Sequence, residues 1–121
     1  MSRSKPSSSV EQLKERGNQL FSKGKLNAAI ESYTEAITLC PGWEVPYVNR
    51  ALCHRKLKNW ENVSADCRSA LALDPDLPKA HYMLGLSLLE SQQLGEAIRS
   101  LQKVYSATYT SPLDLHDGDT L

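Results

Sequence analysis

The chain has 121 residues, of which 40% are hydrophobic and 23% are charged, and its formal net charge is zero. This length suits one domain rather than two, and the composition is typical of a globular protein. Because there is no net positive charge to attract nucleic acid or an anionic membrane, neither is predicted as a partner. No apolar run approaches the roughly 18 residues that a membrane-spanning helix requires.

The first nine residues are rich in serine and contain two basic residues and a proline. They lack the apolar stretch of a secretory signal peptide. We therefore predict a disordered leader over residues 1–9 and a cytoplasmic location for the protein.

The cysteines do not form a recognisable disulfide or zinc pattern. They are Cys40, Cys53 and Cys67. Their odd number, wide spacing and lack of a C-x-x-C pair favour reduced, buried thiols that serve in packing. The histidines share no ligand spacing with the cysteines or with one another; they are His54, His81 and His116. No metal site and no cofactor are predicted.

An internal repeat of 34 residues runs through the chain, and its register is set by small or apolar residues. The aligned positions are Gly17, Ala51 and Gly85; Ala29, Val63 and Ala97; Tyr33, Cys67 and Leu101; and Ala36, Ala70 and Val104. Pro41 and Pro75 close the first two units, whereas Tyr109 occupies the third closing position. Over residues 10–111 this pattern resembles the tetratricopeptide repeat (TPR) family.

The resemblance implies an all-α fold, a TPR superhelix of three helix-turn-helix repeats over residues 10–43, 44–77 and 78–111. The predicted helices are 10–26, 28–40, 44–57, 60–73, 78–90 and 94–107. Two helices pack closely only where side chains are small, which explains Gly or Ala at the aligned crossings. Each helix pair leaves an apolar face that the next pair covers.

Helix-capping residues support these boundaries. The spacing Ser9-x-x-Gln12 predicts a capping box at the start of the first helix. Asn27 is a candidate N-cap of the second helix. Pro46 and Pro78 fit the first turns of the third and fifth helices, where a missing N–H costs little.

The segment after the third repeat, residues 112–121, is interpreted as a tail or a truncated capping helix. Pro112 is expected to end or interrupt the sixth helix, and Leu113 and Leu115 could fold back or begin a seventh. A TPR array commonly ends in a cap with a polar outer face. We therefore expect this chain to be the N-terminal part of a longer protein.

Four polar residues match a subgroup of the family, the carboxylate-clamp TPRs of chaperone cofactors. These residues are Lys14, Asn18, Asn49 and Lys79, and we call them the clamp. They lie within the motifs E-x-x-K-E-x-G-N-x-L-F, N-R-A-L-C and K-A-H-Y-M-L-G. The resemblance implies that the clamp binds the C-terminal Glu-Glu-Val-Asp tails of Hsp70 and Hsp90. Two ammonium groups would neutralise the two carboxylates of a terminal Asp, and the amides would donate hydrogen bonds.

An apolar pocket beside the clamp is also implied by the resemblance. Its candidate residues are Phe21, Val45, Leu52, Tyr82 and Met83, with Leu115 as a weaker candidate. Many clamp TPRs have a basic residue where this chain has Met83. With an apolar residue at this position, the chain resembles the TPR domains of the co-chaperone ubiquitin ligases of the U-box class. That resemblance implies a pocket for the Met or Ile side chain that precedes the acidic residues of the ligand.

Each of these residues also has a purely structural interpretation. Lys14 taken alone would be an ordinary solvated lysine, and Phe21 and Leu52 could belong to the core between repeats. Tyr82 and Met83 are compatible with either a groove or a core position. Arg50 could orient Asn49 or pair with a carboxylate, and the structural role is favoured. His81 is interpreted as a surface histidine.

No motif for catalysis is present, since the chain lacks a phosphate-binding loop, a nucleophile elbow and a distinctive carboxylate pair. Three functions stay open. The chain could be the chaperone-recruiting domain of a U-box ubiquitin ligase, an adaptor co-chaperone without ligase activity, or a general TPR interaction scaffold. The chain itself is expected to be monomeric, and the resemblance is compatible with a dimeric parent protein.

Overall fold

Apolar side chains recur every three to four residues in six segments, and each segment forms an α-helix. The computed structural model describes residues 6–91 and 93–108. The helices are α1 (Ser8–Ser22), α2 (Leu26–Leu39), α3 (Val45–Lys56), α4 (Trp60–Leu73), α5 (Pro78–Glu90) and α6 (Leu94–Thr108). The predicted all-α fold of six helices is therefore confirmed, and no strand occurs in the described ranges.

The ends of α1 differ from the prediction. The helix begins at Ser8, and the Ser7 hydroxyl caps it by accepting a hydrogen bond of 3.3 Å from the Val10 N–H. The capping box at Ser9 and the extension of the leader to residue 9 were therefore wrong. The helix ends at Ser22, because Gly24 takes a φ of +75° and turns the chain.

The start of α2 was also misplaced. Its N-cap is Lys25, and Asn27 lies inside the first turn. The prediction that Asn27 caps this helix was therefore wrong. By contrast, Pro46 and Pro78 lie in the first turns of α3 and α5 as predicted.

The turn after the first helix of a repeat recurs one unit later. The Gly24 N–H donates to the Phe21 carbonyl at 2.9 Å, and the Lys58 N–H donates to the Arg55 carbonyl at 2.9 Å. Lys58 has a φ of 61°, although it is not a glycine. The left-handed backbone conformation of Gly24 therefore recurs 34 residues later at Lys58, although a lysine is less suited to it than a glycine.

The helices form three antiparallel pairs, α1 with α2, α3 with α4, and α5 with α6. The first helices of the pairs contact each other, since α3 touches both α1 and α5. The backbones of α2 and α4, and those of α4 and α6, do not come within 8 Å of each other between Cα atoms in the described part of the chain, although the Arg68 side chain of α4 reaches Glu96 of α6. The second helices thus spread apart, and α1, α3 and α5 line the inner face of a curved array.

Close packing within the first pair depends on Gly17. A Cβ atom added there would lie 2.7 Å from Cδ1 of the Tyr33 ring on α2, far inside normal contact distance. Gly85 allows the same approach in the third pair, where the Leu101 side chain would meet an added Cβ at 2.7 Å. The expectation of small residues at helix crossings is confirmed at both sites.

All three cysteines are free and buried, as predicted. The main core cluster joins the second and third repeats and consists of Ala51, Val63, Cys67, Ala80, Met83, Leu84, Leu88 and Ala97. Burial raises the pKa of the Cys53 thiol to about 11 and that of the Cys67 thiol to about 12. Cys53 and Cys67 therefore stay protonated at neutral pH and serve as packing groups.

None of the described helices is long and apolar enough to cross a membrane. Several predictions fall outside the described ranges. These concern the beginning of the leader, the closing position Tyr109, and the tail with Pro112, Leu113, Leu115 and a seventh helix.

Candidate peptide-binding site

The predicted site residues lie on the helices that line the inner face. On α3, Val45, Asn49 and Leu52 are separated by four and three residues, which places them on one face of the helix. On α1, Lys14 and Asn18 are four residues apart. Because α3 lies between α1 and α5, these faces meet along one groove.

Two clamp asparagines are joined by a hydrogen bond across the groove. The Asn49 Nδ2 amide donates to Asn18 Oδ1 at 3.2 Å. A second donor, the Tyr33 hydroxyl, reaches the same Oδ1 from α2 at 2.5 Å. With Oδ1 occupied by two donors, the Asn18 Nδ2 amide is left as a donor for another group.

Lys14 stands one helical turn before Asn18, and its side chain is held by two neighbours. Its Nζ lies 5.7 Å from the centroid of the Trp43 ring, within the range of a cation–π contact. The same Nζ lies 3.2 Å from the Glu15 carboxylate, whose side chain is 61% exposed. An ion pair this exposed is weak, so a ligand carboxylate could replace Glu15.

Lys79 and Asn49 border the same hollow, which has a volume of about 240 Å³. Its other lining residues are Glu44, Val45, Val48 and Leu77. Asn49 therefore links two groups of clamp residues, since it is hydrogen-bonded to Asn18 on α1 and shares this hollow with Lys79 on α5. Lysine and amide donors thus lie on each of the neighbouring helices α1, α3 and α5, and carboxylate groups are the ligands that such donors complement.

The predicted apolar pocket is divided between two places. Val45 lines the hollow beside the clamp. Leu52 lines a second hollow of about 550 Å³ near the end of α3, together with Leu26, Arg55, Lys56 and Lys58. Phe21 and Leu52 are also half-buried against core clusters, so the groove and core interpretations both apply to them.

Cations cover the two aromatic residues of the predicted pocket. The Lys56 Nζ lies 5.7 Å from the centroid of the Phe21 ring. The Arg55 guanidinium carbon lies 5.5 Å from the centroid of the Tyr82 ring, and Tyr82 is 40% exposed. This end of the groove is therefore both apolar and basic.

Met83 does not line the groove. Its side chain has no exposed surface and belongs to the core cluster between the second and third repeats. Its neighbour Tyr82 takes the exposed position on α5 instead. The prediction that Met83 forms part of the pocket is corrected, because residues 82 and 83 point about 100° apart around a helix.

Arg50 and His81 have structural roles. Arg50 makes two hydrogen bonds to the buried Asp66 carboxylate, from Nε at 2.8 Å and from Nη2 at 2.7 Å. This agrees with the favoured interpretation and excludes Arg50 as the group that orients Asn49. The half-buried His81 ring contacts the Pro75 carbonyl through Nε2 at 2.8 Å.

Sequence reasoning missed several groups at the site: Tyr33, Trp43, Val48, Arg55 and Lys56. Tyr33 was interpreted only as one of the aligned residues that set the repeat. The spacing signal could have found Lys56, which follows Leu52 by four residues on the groove face of α3. Trp43 precedes α3 in a loop, where periodicity carries no information.

Comparison with known families decides the classification. A TPR repeat model matches residues 17–58, and a tetratricopeptide repeat model matches residues 78–109. This chain belongs to the tetratricopeptide repeat family. The resemblance derived from the 34-residue period is thereby confirmed.

The relatives of this chain include a ubiquitin-protein ligase. The chain is 47% identical over 97 residues to the E3 ubiquitin-protein ligase CHIP of Arabidopsis thaliana, covering 80% of this chain and 35% of that protein. This match supports the predicted similarity to co-chaperone ubiquitin ligases. The chain thus spans about a third of the length of that relative.

Solved TPR structures share the fold of this chain. The first TPR of Spaghetti (RPAP3) bound to the HSP90 peptide SRMEEVD is 33% identical, with a TM-score of 0.78 and coverage of 81% and 78% of the two chains. The second TPR of human RPAP3 in complex with the HSP70 peptide SGPTIEEVD is 31% identical, with a TM-score of 0.77 and coverage of 81% and 82%.

Proposed function

We propose that this TPR domain binds the free C-terminal tail of Hsp70 and Hsp90 chaperones in the groove formed by α1, α3 and α5. The observation that carries the proposal is the grouping of the clamp. Asn18 and Asn49 are joined at 3.2 Å, Lys14 lies one turn from Asn18, and Lys79 borders the same hollow as Asn49. The peptides bound by the two related structures both end in Glu-Glu-Val-Asp.

A chain-terminal Asp suits this arrangement because its two carboxylates are separated by only a few bonds. Lys14 and Lys79 supply two positive charges from opposite sides of α3, and the amides supply directed donors. Lysine acts as a point charge on a flexible stem, so it can follow carboxylates of different orientation. The binding is thus expected to require a free C-terminus.

The apolar residues would bind the side chains that precede the acidic run. Val45 and Val48 offer an apolar wall next to the clamp, and Leu52 offers another farther along α3. In this proposal, Arg55 and Lys56 lie where acidic ligand residues could pair with them. Hydrophobic contact would add affinity, while the charges would fix the direction of the peptide.

The test is isothermal titration of the domain with the peptide SRMEEVD, once with a free C-terminus and once amidated. The free peptide should bind with a dissociation constant on the order of micromolar, roughly 8 kcal/mol. Amidation should weaken binding strongly, and the affinity of the free peptide should fall as salt concentration rises. Equal binding of both peptides would contradict the clamp.

Lysine variants sharpen the same test. Lys14→Ala and Lys79→Ala should each cost about 1.5–3 kcal/mol of binding free energy, the usual effect of losing a charged hydrogen bond. Lys103→Ala is the matched control, because Lys103 is exposed on α6, outside the groove. An equal loss in all three variants would indicate a nonspecific charge effect and would exclude a localised clamp.

A second level of the proposal concerns the parent protein. The 47% identity to the CHIP ligase favours a role as the chaperone-recruiting domain of a U-box ubiquitin ligase in cytoplasmic protein quality control. Three free, buried cysteines are typical of a reducing compartment. In this role the TPR domain recruits chaperones and the chemistry belongs to another domain. The alternatives are an adaptor co-chaperone or a general interaction scaffold.

A ubiquitination assay with the full-length protein, an E1, an E2 and Hsp70 distinguishes these alternatives. A ligase should modify the chaperone, and Lys79→Ala should reduce that modification while leaving autoubiquitination intact. Peptide binding without ligase activity would instead support an adaptor. If no free C-terminal peptide binds, the scaffold alternative is favoured.

A further inference from the structure

Tyr33 lies on the far side of α1 from the groove, yet it contacts a predicted ligand-binding residue. It belongs to α2, and its side chain is 2% exposed. Its hydroxyl nevertheless donates to Asn18 Oδ1 at 2.5 Å. A buried residue of a second helix thus touches the groove through a single atom.

Gly17 makes this contact possible. The Tyr33 ring crosses α1 at Gly17, and a Cβ atom there would stand 2.7 Å from Cζ, the carbon that bears the hydroxyl. Any larger residue would push the ring away from the neighbouring Asn18. The pair Gly17 and Tyr33 therefore determines where the hydroxyl is placed, in addition to packing α1 against α2.

The hydroxyl is suited to donate rather than to ionise. Burial, followed by the nearby Cys53 and Glu15, raises the pKa of Tyr33 above its usual range. The phenol therefore keeps its proton at every pH at which the domain is expected to work. Asn49 Nδ2 also donates to the same Oδ1, so the two donors together favour one orientation of the Asn18 amide.

We infer that Tyr33 is a positioning residue for ligand recognition, which turns the Asn18 Nδ2 donor towards a ligand carboxylate. This inference rests on the proposed function. A flipped amide would present Oδ1 to the carboxylate, and two acceptors would face each other. Because the Asn18 amide is already held in the binding orientation in the free protein, less conformational entropy is lost when the ligand binds.

The first experiment measures the affinity of the Tyr33→Phe variant for SRMEEVD. Phenylalanine keeps the ring against Gly17 and removes only the hydroxyl. The dissociation constant should rise about threefold to tenfold, as expected for one uncharged hydrogen bond. Tyr47→Phe is the matched control, since the Tyr47 hydroxyl donates to the Pro41 carbonyl at 3.1 Å instead of to a clamp residue. Tyr47→Phe should bind as the wild type does.

A double-mutant cycle separates positioning from general packing. In an Asn18→Ala background, Tyr33→Phe should cause no further loss of affinity, because the hydroxyl acts only through Asn18. A loss of the same size in both backgrounds would overturn the inference. So would a Tyr33→Phe variant that binds as tightly as the wild type.

A measurement without ligand keeps this inference distinct from the proposed function. The side-chain amide signals of Asn18 in the NMR spectrum of the free domain should shift in Tyr33→Phe and stay unchanged in Tyr47→Phe. Unshifted signals in Tyr33→Phe would overturn the positioning role whatever the domain binds. Failure of the wild-type domain to bind SRMEEVD would overturn the proposed function and the ligand role of Tyr33, while shifted signals would still establish the contact.

Discussion

The Arg50–Asp66 ion pair provides a stability prediction with an internal control. Arg50 on α3 grips the Asp66 carboxylate of α4 through two hydrogen bonds and also donates to the Thr34 hydroxyl of α2 at 2.9 Å. The Asp66 side chain is only 7% exposed, and the Arg50 side chain is 21% exposed. This pair therefore ties three helices of the first two repeats together.

The two partners should not be equally costly to remove. Arg50→Met leaves a buried carboxylate without its cation, which typically costs about 3–5 kcal/mol. Asp66→Asn leaves a guanidinium that is partly exposed to water and an amide that can still accept a hydrogen bond from it. We expect a smaller cost of about 1.5–3 kcal/mol for that variant. The larger loss is a substantial part of the roughly 5–15 kcal/mol that stabilises a domain.

The assay is urea unfolding followed by circular dichroism for each variant. Arg68→Met is the matched control, because Arg68 pairs with Glu96 at the same short distance of 2.8 Å, but the two side chains are 50% and 36% exposed. That variant should lose less than about 1 kcal/mol. Equal losses in Arg50→Met and Arg68→Met would refute the argument that burial determines the cost. A greater loss in Asp66→Asn than in Arg50→Met would refute the predicted asymmetry.

Three further predictions concern packing, backbone strain and pH. Gly17→Ala should destabilise the domain by about 1–3 kcal/mol in urea unfolding, because the new methyl group collides with the Tyr33 ring; an unchanged midpoint would contradict this packing. Lys58→Gly should stabilise by about 0.5–1 kcal/mol by relieving the φ of 61°, whereas Lys58→Ala, which keeps the Cβ atom, should not. Since burial raises the pKa of Cys53 to about 11 and that of Cys67 to about 12, from the ordinary value of 9.0, the unfolded chain loses these protons first as pH rises. The contribution of these two thiols to the free energy of unfolding should thus be constant below pH 9 and decline towards pH 11–12. Cys67→Ala should reduce the decline measured over that range, and an identical decline in that variant would argue against the thiols.

The repeat period was readable from the sequence because TPR packing depends on individual small residues. Gly17 and Gly85 stand where helices cross, and no larger side chain fits there. Such constraints recur at a fixed spacing, so the architecture and the inner-face helices followed from alignment of the chain with itself. Helix ends were less predictable, because several serines near the first helix could have capped it and only Ser7 does.

The clamp was predicted as a set of positions, and the structure supplied its orientation. Spacing on a helix places Lys14 and Asn18 on one face, and this needs no knowledge of the neighbours. It could not show that Asn18 receives hydrogen bonds from both Asn49 and Tyr33, since those residues lie 31 and 15 positions away in the chain.

The sequence pattern did not predict that Met83 is buried in the core instead of facing the groove. Adjacent residues on an α-helix point about 100° apart, so a small rotation of α5 decides which of Tyr82 and Met83 faces the groove. The packing of α5 against α4 settled that rotation and buried Met83 in the core. The sequence alone therefore determined the family, the helix pairs and the candidate clamp, because these depend on local spacing. Only the tertiary structure decided which side chains reach the groove and how the Asn18 amide is held, because these depend on contacts between distant helices.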